Sequence, residues 1–182
     1  MQVEKTFIDG LLIIKPDVFE DSRGYFFETF SKYKYKKTGI DADFVQDNVS
    51  KSIRGTIRGL HYQVGEFAQA KICSVFKGSV IDIAVDIRFG SPTFGKYFSI
   101  ELSDENKNQL WIPAGFAHGF IVKTDDTIFT YKCTAPYHKE SERTIIYNDN
   151  DLNINWQVDD PIVSDKDLEG ISFKNIRKDF SI

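Results

Sequence analysis

The sequence predicts an all-β chain, an antiparallel sandwich or barrel with a few short helices, on three observations. Sixteen Phe, eight Tyr and two Trp against a single Met favour strands over a helical bundle. Short apolar runs recur at close intervals, each cut off by Gly, Pro or Ser. Helix signals are confined to two places.

In chain order, Ser31 to Lys37, closed by Gly39, reads as a short helix. Ile72 to Phe76 reads as a strand that stops at Lys77-Gly78-Ser79. Val80 to Ile87 alternates: Ile81, Ile83, Val85 and Ile87 share one face, and Val80, Asp82, Ala84 and Asp86 share the other. That second face is small and acidic, suited to lining a pocket. Gly90-Ser91-Pro92 is a turn. Phe98 to Leu102, Leu110 to Ile112, Gly119 to Val122, Thr127 to Cys133 and Arg143 to Tyr147 follow as strands. Period 2 puts Phe129, Tyr131 and Cys133 on one face. A short helical turn opens at Ser164. Without repeats, low-complexity stretches or linkers, residues 1–182 read as one domain.

Composition narrows the function classes. At 41% hydrophobic, the chain can bury a sizeable core, which argues against disorder. A net charge of −4 argues against nucleic acid or an acidic membrane as partner, so an anionic ligand needs local Arg or Lys to draw it in. Leu11-Leu12-Ile13-Ile14 is too short for a signal sequence and runs into Lys15 and Pro16. No apolar run approaches membrane-spanning length. The expectation is a soluble, cytoplasmic protein. Cys73 and Cys133 lie in separate strands without CxxC spacing, which favours reduced packing thiols over a single disulfide.

The chemistry concentrates in Arg58-Gly59-Leu60-His61-Tyr62-Gln63 and Pro113-Ala114-Gly115-Phe116-Ala117-His118, which hold two of the three histidines. Histidine is suited to proton transfer near neutral pH, and an arginine beside it suggests proton abstraction from an anionic substrate. The Pro113-x-Gly115-x-x-His118 spacing resembles the second signature of the cupin jelly roll, a double-stranded β-helix. Metal-binding cupins also carry a His-x-His pair and a downstream Glu. The matching place here is His61-Tyr62-Gln63, and His138 lies in a distant polar loop. A resident metal set is not completed from histidine.

The chain as a whole resembles the dTDP-4-dehydrorhamnose 3,5-epimerases. The matching segments include Asp21 to Glu28 (DSRGYFFE), Phe44 to Asn48, Arg58 to Gln63, Gln69-Ala70-Lys71, Ala84 to Arg88 and Ser91 to Gly95. Trp111 to Phe120 (WIPAGFAHGF), Tyr131 to Thr134 and Ser164 to Asp167 continue them in the same order and spacing. Ser74 stands where the family usually carries a basic residue, and the Val64 to Ala68 loop lacks the prolines often found there.

The resemblance implies a nucleoside-diphosphate 4-keto-6-deoxy sugar as substrate, and a reaction that uses neither metal nor cofactor. It implies His61 as base, Tyr131 as acid on the opposite face, Lys71 beside the developing enolate oxygen, and Asp167 as hydrogen-bond partner of His61. Arg58 and Arg23 are the implied diphosphate cations, Gln46 and Asn48 neutral donors, and Glu28 an acceptor. Phe26 and Tyr137 would stack on thymine, and Glu142 and Lys166 match further contact positions. The Arg23 to Glu28 segment would reach across a homodimer interface into the partner's site.

Each assignment has a plainer rival. His61 alone could be a core histidine, and Tyr131 a core tyrosine. Lys71 at a strand start is ordinarily solvated, and Glu142 and Lys166 sit in polar loops. Asp167 three residues after Ser164 fits a helix cap as well as a dyad. His118 is either paired with a carboxylate such as Asp82 or a ligand of the keto oxygen. The alternative functions are a 3- or 5-monoepimerase of a related deoxysugar, a non-catalytic cupin that binds sugar nucleotide, and a metal-dependent cupin oxygenase.

Overall fold

The computed structural model describes residues 1–182. Thirteen strands form two antiparallel sheets and a hairpin. One sheet runs in the order β1 (Gln2–Lys5), β2 (Leu12–Lys15), β10 (Gln109–Ile112), β7 (Lys71–Lys77), β12 (Thr127–Cys133), β5 (Gln46–Ser52). The second runs β13 (Glu142–Thr144), β6 (Ile57–Gln63), β11 (Phe116–Val122), β8 (Ser79–Asp86), β9 (Tyr97–Ser103). The hairpin pairs β3 (Val18–Asp21) with β4 (Gly24–Phe27). This is the jelly roll that the strand density and the Pro113-x-Gly115 motif predict.

Strand periodicity explains the layers. On β8, Val80 and Ala84 point between the sheets and join Cys73, Val75, Leu110 and Phe129 from the facing sheet. The alternate residues Ile83 and Val85 point outward and pack under Leu152 and Trp156 of the C-terminal segment. Both faces of β8 are thus buried, a pattern found where a sheet is covered on both sides. Outside the six-stranded sheet, Ile14 and Ile72 are covered by Tyr35 and Ile40. Tyr35 lies on helix α1 (Lys32–Lys37), which follows Ser31 and stops before Gly39 with its φ of +93°.

The acidic face of β8 does not line one pocket. Asp82 bonds His118, whereas Asp86 accepts Arg88 Nε at 2.8 Å, Ser91 Oγ at 2.6 Å and Thr93 Oγ1 at 2.7 Å. Asp86 therefore fixes the turn that leaves the strand, and its burial is structural. Cys73 and Cys133 are both buried free thiols. No helix is long and apolar enough to cross a membrane.

Candidate active site

The site is organised by a close approach of two glycines. Gly59, on β6, has a φ of +129°, and a Cβ there would meet Gly119 Cα at 2.5 Å and the His118 carbonyl oxygen at 2.8 Å. A Cβ on Gly119 would meet the Arg58 carbonyl oxygen at 2.8 Å. The β6–β11 ladder shifts register here, between His118 paired with His61 and Phe120 paired with Arg58. A bulge of this kind re-aims the side chains beside it. It sets Arg58, His61 and His118 around one cavity of about 400 Å³.

Asp167 enters from helix α2 (Asp165–Leu168), capped by Ser164, whose Oγ accepts the Asp167 N–H at 3.3 Å. The backbone of Asp167 serves the cap, and its carboxylate turns away from it. Oδ1 lies 2.6 Å from His61 Nε2, and Oδ2 accepts the Gly59 N–H at 3.2 Å. Asp167 is only 2% exposed. Burial would raise its carboxyl pKa, but the hydrogen bond and charge of His61, with the Gly59 N–H, hold it below the usual carboxylate range.

Lys71 opens β7 and lies 8% exposed, with no carboxylate within 4.0 Å of its ammonium. Its Nζ sits 5.7 Å from the centroid of the Tyr131 ring. Tyr131 comes from β12, on the inward face it shares with Phe129 and Cys133. Burial, with smaller contributions from Cys133 and Cys73, pushes its phenol up to about 12, so it keeps its proton at neutral pH.

His118 is buried, with Nε2 2.7 Å from Asp82 Oδ1, and it also lines the cavity. His118 thus has the carboxylate partner of the first sequence reading, and it lines the cavity in which the second, a contact to the keto oxygen, would be made. Burial lowers its pKa against the opposing pull of Asp82, which favours the neutral imidazole.

The rim is polar. Glu142 accepts Lys166 Nζ at 2.6 Å and the Tyr137 hydroxyl at 3.1 Å. Gln46 Oε1 accepts the Tyr137 N–H at 2.8 Å, and Gln46 Nε2 donates to Asn48 Oδ1 at 3.0 Å. Glu142 begins β13 and Lys166 lies in α2, so neither sits in a loop as the sequence reading has it. Arg58 is exposed and donates only to Ser52 Oγ, at 3.2 Å. With Lys166 neutralised by Glu142, Arg58 and Lys71 are the unpaired cations of the cavity.

His61, Tyr131, Asp167, Lys71, Asn48, Arg58, His118, Tyr137, Glu142 and Lys166 all line this cavity, and Gln46 lines an adjoining chamber of about 280 Å³. Arg23, Phe26 and Glu28 do not. Arg23 sits at the β3–β4 turn, its side chain 88% exposed and paired with Asp21, Phe26 points to solvent, and Glu28 pairs with Lys34. The family departures also lie off the cavity. Ser74 accepts Gln109 Nε2 at 3.0 Å, and the loop after Val64 folds as a turn whose Phe67 stacks on His138. Sequence reasoning missed Gly59 as a donor to Asp167. A glycine inside a strand run was the available signal, since it marks a bulge or a close backbone approach.

A family model described as dTDP-4-dehydrorhamnose 3,5-epimerase matches residues 5–175. The dTDP-4-dehydrorhamnose 3,5-epimerase of Shigella flexneri is 50% identical over 174 residues, covering 95% of this chain and 96% of that one. The crystal structure of dTDP-6-deoxy-D-glucose-3,5-epimerase from Legionella pneumophila, in complex with dTDP-4-keto-L-rhamnose, is 47% identical with a TM-score of 0.93, covering 97% of this chain and 94% of that one. That of dTDP-4-dehydrorhamnose 3,5-epimerase from Elizabethkingia anophelis is 48% identical with a TM-score of 0.91, covering 96% and 97%.

Proposed function

The chain belongs to the dTDP-4-dehydrorhamnose 3,5-epimerase family, and from this premise we infer that it is an isomerase of dTDP-rhamnose biosynthesis. It inverts carbons 3 and 5 of dTDP-4-dehydro-6-deoxy-D-glucose to give dTDP-4-dehydro-L-rhamnose. The observation that carries the mechanism is the His61–Asp167 pair lining one cavity with Lys71 and Tyr131.

The 4-keto group acidifies the hydrogens on the carbons beside it, so each inversion is a proton removal followed by reprotonation from the other face. His61 is the base. Asp167 occupies its Nε2, which leaves Nδ1 to accept the proton, and the carboxylate steadies the imidazolium that forms. Lys71, buried beside Tyr131 without a carboxylate partner, balances charge on the enolate oxygen. The protonated phenol of Tyr131 supplies the proton to the opposite face. Arg58 binds the diphosphate, and exposed Tyr137 offers a ring for thymine.

Arg23, Phe26 and Glu28 serve the cavity of a second copy in a homodimer. What supports this is that Arg23 and Phe26 lie on the β3–β4 hairpin, with Glu28 just after it, and that none of the three lines its own cavity. A cytoplasmic location fits the two free thiols.

The test is incubation with dTDP-4-dehydro-6-deoxy-D-glucose in heavy water. Deuterium at both carbons 3 and 5 with inverted product is expected. Label at one carbon alone makes the chain a monoepimerase, and no label rejects the reading.

A further inference from the structure

Cys73, Asp82 and His118 bring three metal-ligating atoms within 4.8 Å of one another. They come from β7, β8 and β11, so the two sheets meet at this point. His118 Nε2 is 2.7 Å from Asp82 Oδ1 and 3.6 Å from Cys73 Sγ. Zinc bonds of about 2.3 Å to sulfur and about 2.0 Å to nitrogen, at a tetrahedral angle, set those two atoms about 3.5 Å apart. The sulfur–nitrogen edge is therefore already the right length. Asp82 Oδ2 is buried with no hydrogen-bond partner, a cost that a cation would remove. Only His118 of the three lines the cavity, so a fourth coordination position would open on that side.

We propose that Cys73, Asp82 and His118 form a site for a thiophilic divalent cation such as zinc, and that its occupancy inhibits the enzyme. On binding, the Cys73 thiol proton leaves to solvent and a sulfur–metal bond replaces it. The imidazole keeps one proton, moved to Nδ1, and the thiolate and the Asp82 carboxylate balance the two charges of the ion. Burial holds the thiol protonated, and the Lys71 ammonium nearby opposes a cation. Only an ion with a strong bond to sulfur offsets both, so magnesium and calcium are excluded. The inhibitory half rests on the reading of the cavity as the sugar-nucleotide site, because an ion held by His118 would put its positive charge and its open coordination position against that cavity, beside Lys71 and Tyr131.

The test is titration of the metal-stripped, full-length protein with cobalt(II). One tight equivalent per chain with a thiolate-to-cobalt charge-transfer band, displaced by zinc, is expected. The band should vanish in Cys73→Ala and in Cys73→Val, two variants of different volume at this fully buried position, and persist in Cys133→Ala. Zinc should inhibit epimerisation of the parent protein at least tenfold and leave the Cys73 variants active. Absence of the band, or its survival in a folded Cys73 variant, overturns the site. A Cys73-dependent band with unchanged turnover overturns the inhibition. The absorption arm needs no activity, so cobalt binding of this kind in a chain that does not turn over upholds the site and rejects only the functional reading.

Discussion

Nε2 of His61 and Oδ1 of Asp167 stand 2.6 Å apart, although 106 residues separate them. The Gly59 N–H holds the other carboxylate oxygen, so the aspartate is fixed at both ends and the imidazole with it. Asp167→Asn keeps the volume but replaces an acceptor with a group that also donates. Turnover should fall about 10²–10⁴-fold, the range of general acid–base catalysis, with KM little changed. His61→Asn should abolish exchange at both carbons and still bind thymidine diphosphate. Normal turnover in Asp167→Asn would reduce the carboxylate to a packing role.

Tyr131→Phe separates the two faces of the reaction. It keeps the ring beside Phe129 and Lys71 and removes only the hydroxyl. The variant should still exchange substrate hydrogen for deuterium through His61, with retention of configuration, while inverted product falls most clearly at carbon 5. Inversion at the normal rate would make Tyr131 a core residue and direct the search for the acid to His118.

The second half of the chain was more legible than the first. Thr127–Cys133 is a strand with the bounds its apolar run implied, because it lies inside the sheet and pairs with β7 and β5 along its two edges. Gln46–Ser52 (QDNVSKS) carries no such run, since alternate residues face solvent at the sheet's edge. The Asp82–His118 contact was foreseeable from a buried acid and a histidine. The union of Asp167 with His61 was not legible from periodicity, because a helical turn contributes it from far along the chain. Only the family pattern pointed to it.

Arg58 makes no ion pair, which leaves its charge for a ligand. A charged hydrogen bond is worth about 1.5–3 kcal/mol, so Arg58→Ala should raise KM about 10–100-fold. Affinity in the parent protein should weaken as salt rises, because two negative charges enter a chain that is itself at −4. Equal affinity of parent and variant for thymidine diphosphate would remove Arg58 from the anion site.

Asp86 links acid to stability. Burial alone would raise its pKa, but hydrogen bonds from Arg88, Ser91 and Thr93 bring it below the ordinary value. Its folded pKa is thus depressed. The stability it contributes is full above the unfolded value of about 3.9 and is lost as pH falls through the folded value. Asp86→Ala should cost about 3 kcal/mol at neutral pH by stranding a mostly buried Arg88, with the gap to the parent narrowing in acid. Urea unfolding at pH 7 and again near pH 3 measures both, and a gap that widens in acid would contradict the sign.

The last prediction concerns Arg23, which no contact joins to its own cavity. Its side chain is 88% exposed on the β3–β4 hairpin, beside exposed Tyr25 and Phe26. Large aromatic side chains in that position gain from burial against a second copy. If Arg23 completes the partner's cavity, Arg23→Ala and His61→Asn damage a site from different subunits. Mixing the two variants and refolding them together yields hybrid dimers in which one site collects both lesions and the other neither. Random pairing makes half of the dimers hybrids, so about a quarter of all sites are intact and activity returns to about a quarter of the parent's. The two variants refolded apart and then pooled should stay at their own low levels. If Arg23 served its own chain, each hybrid would hold one site of each damaged kind and no activity would return. Recovery on co-refolding therefore reports a shared site, its absence assigns Arg23 to its own chain's site, and full activity of Arg23→Ala alone assigns it to the surface.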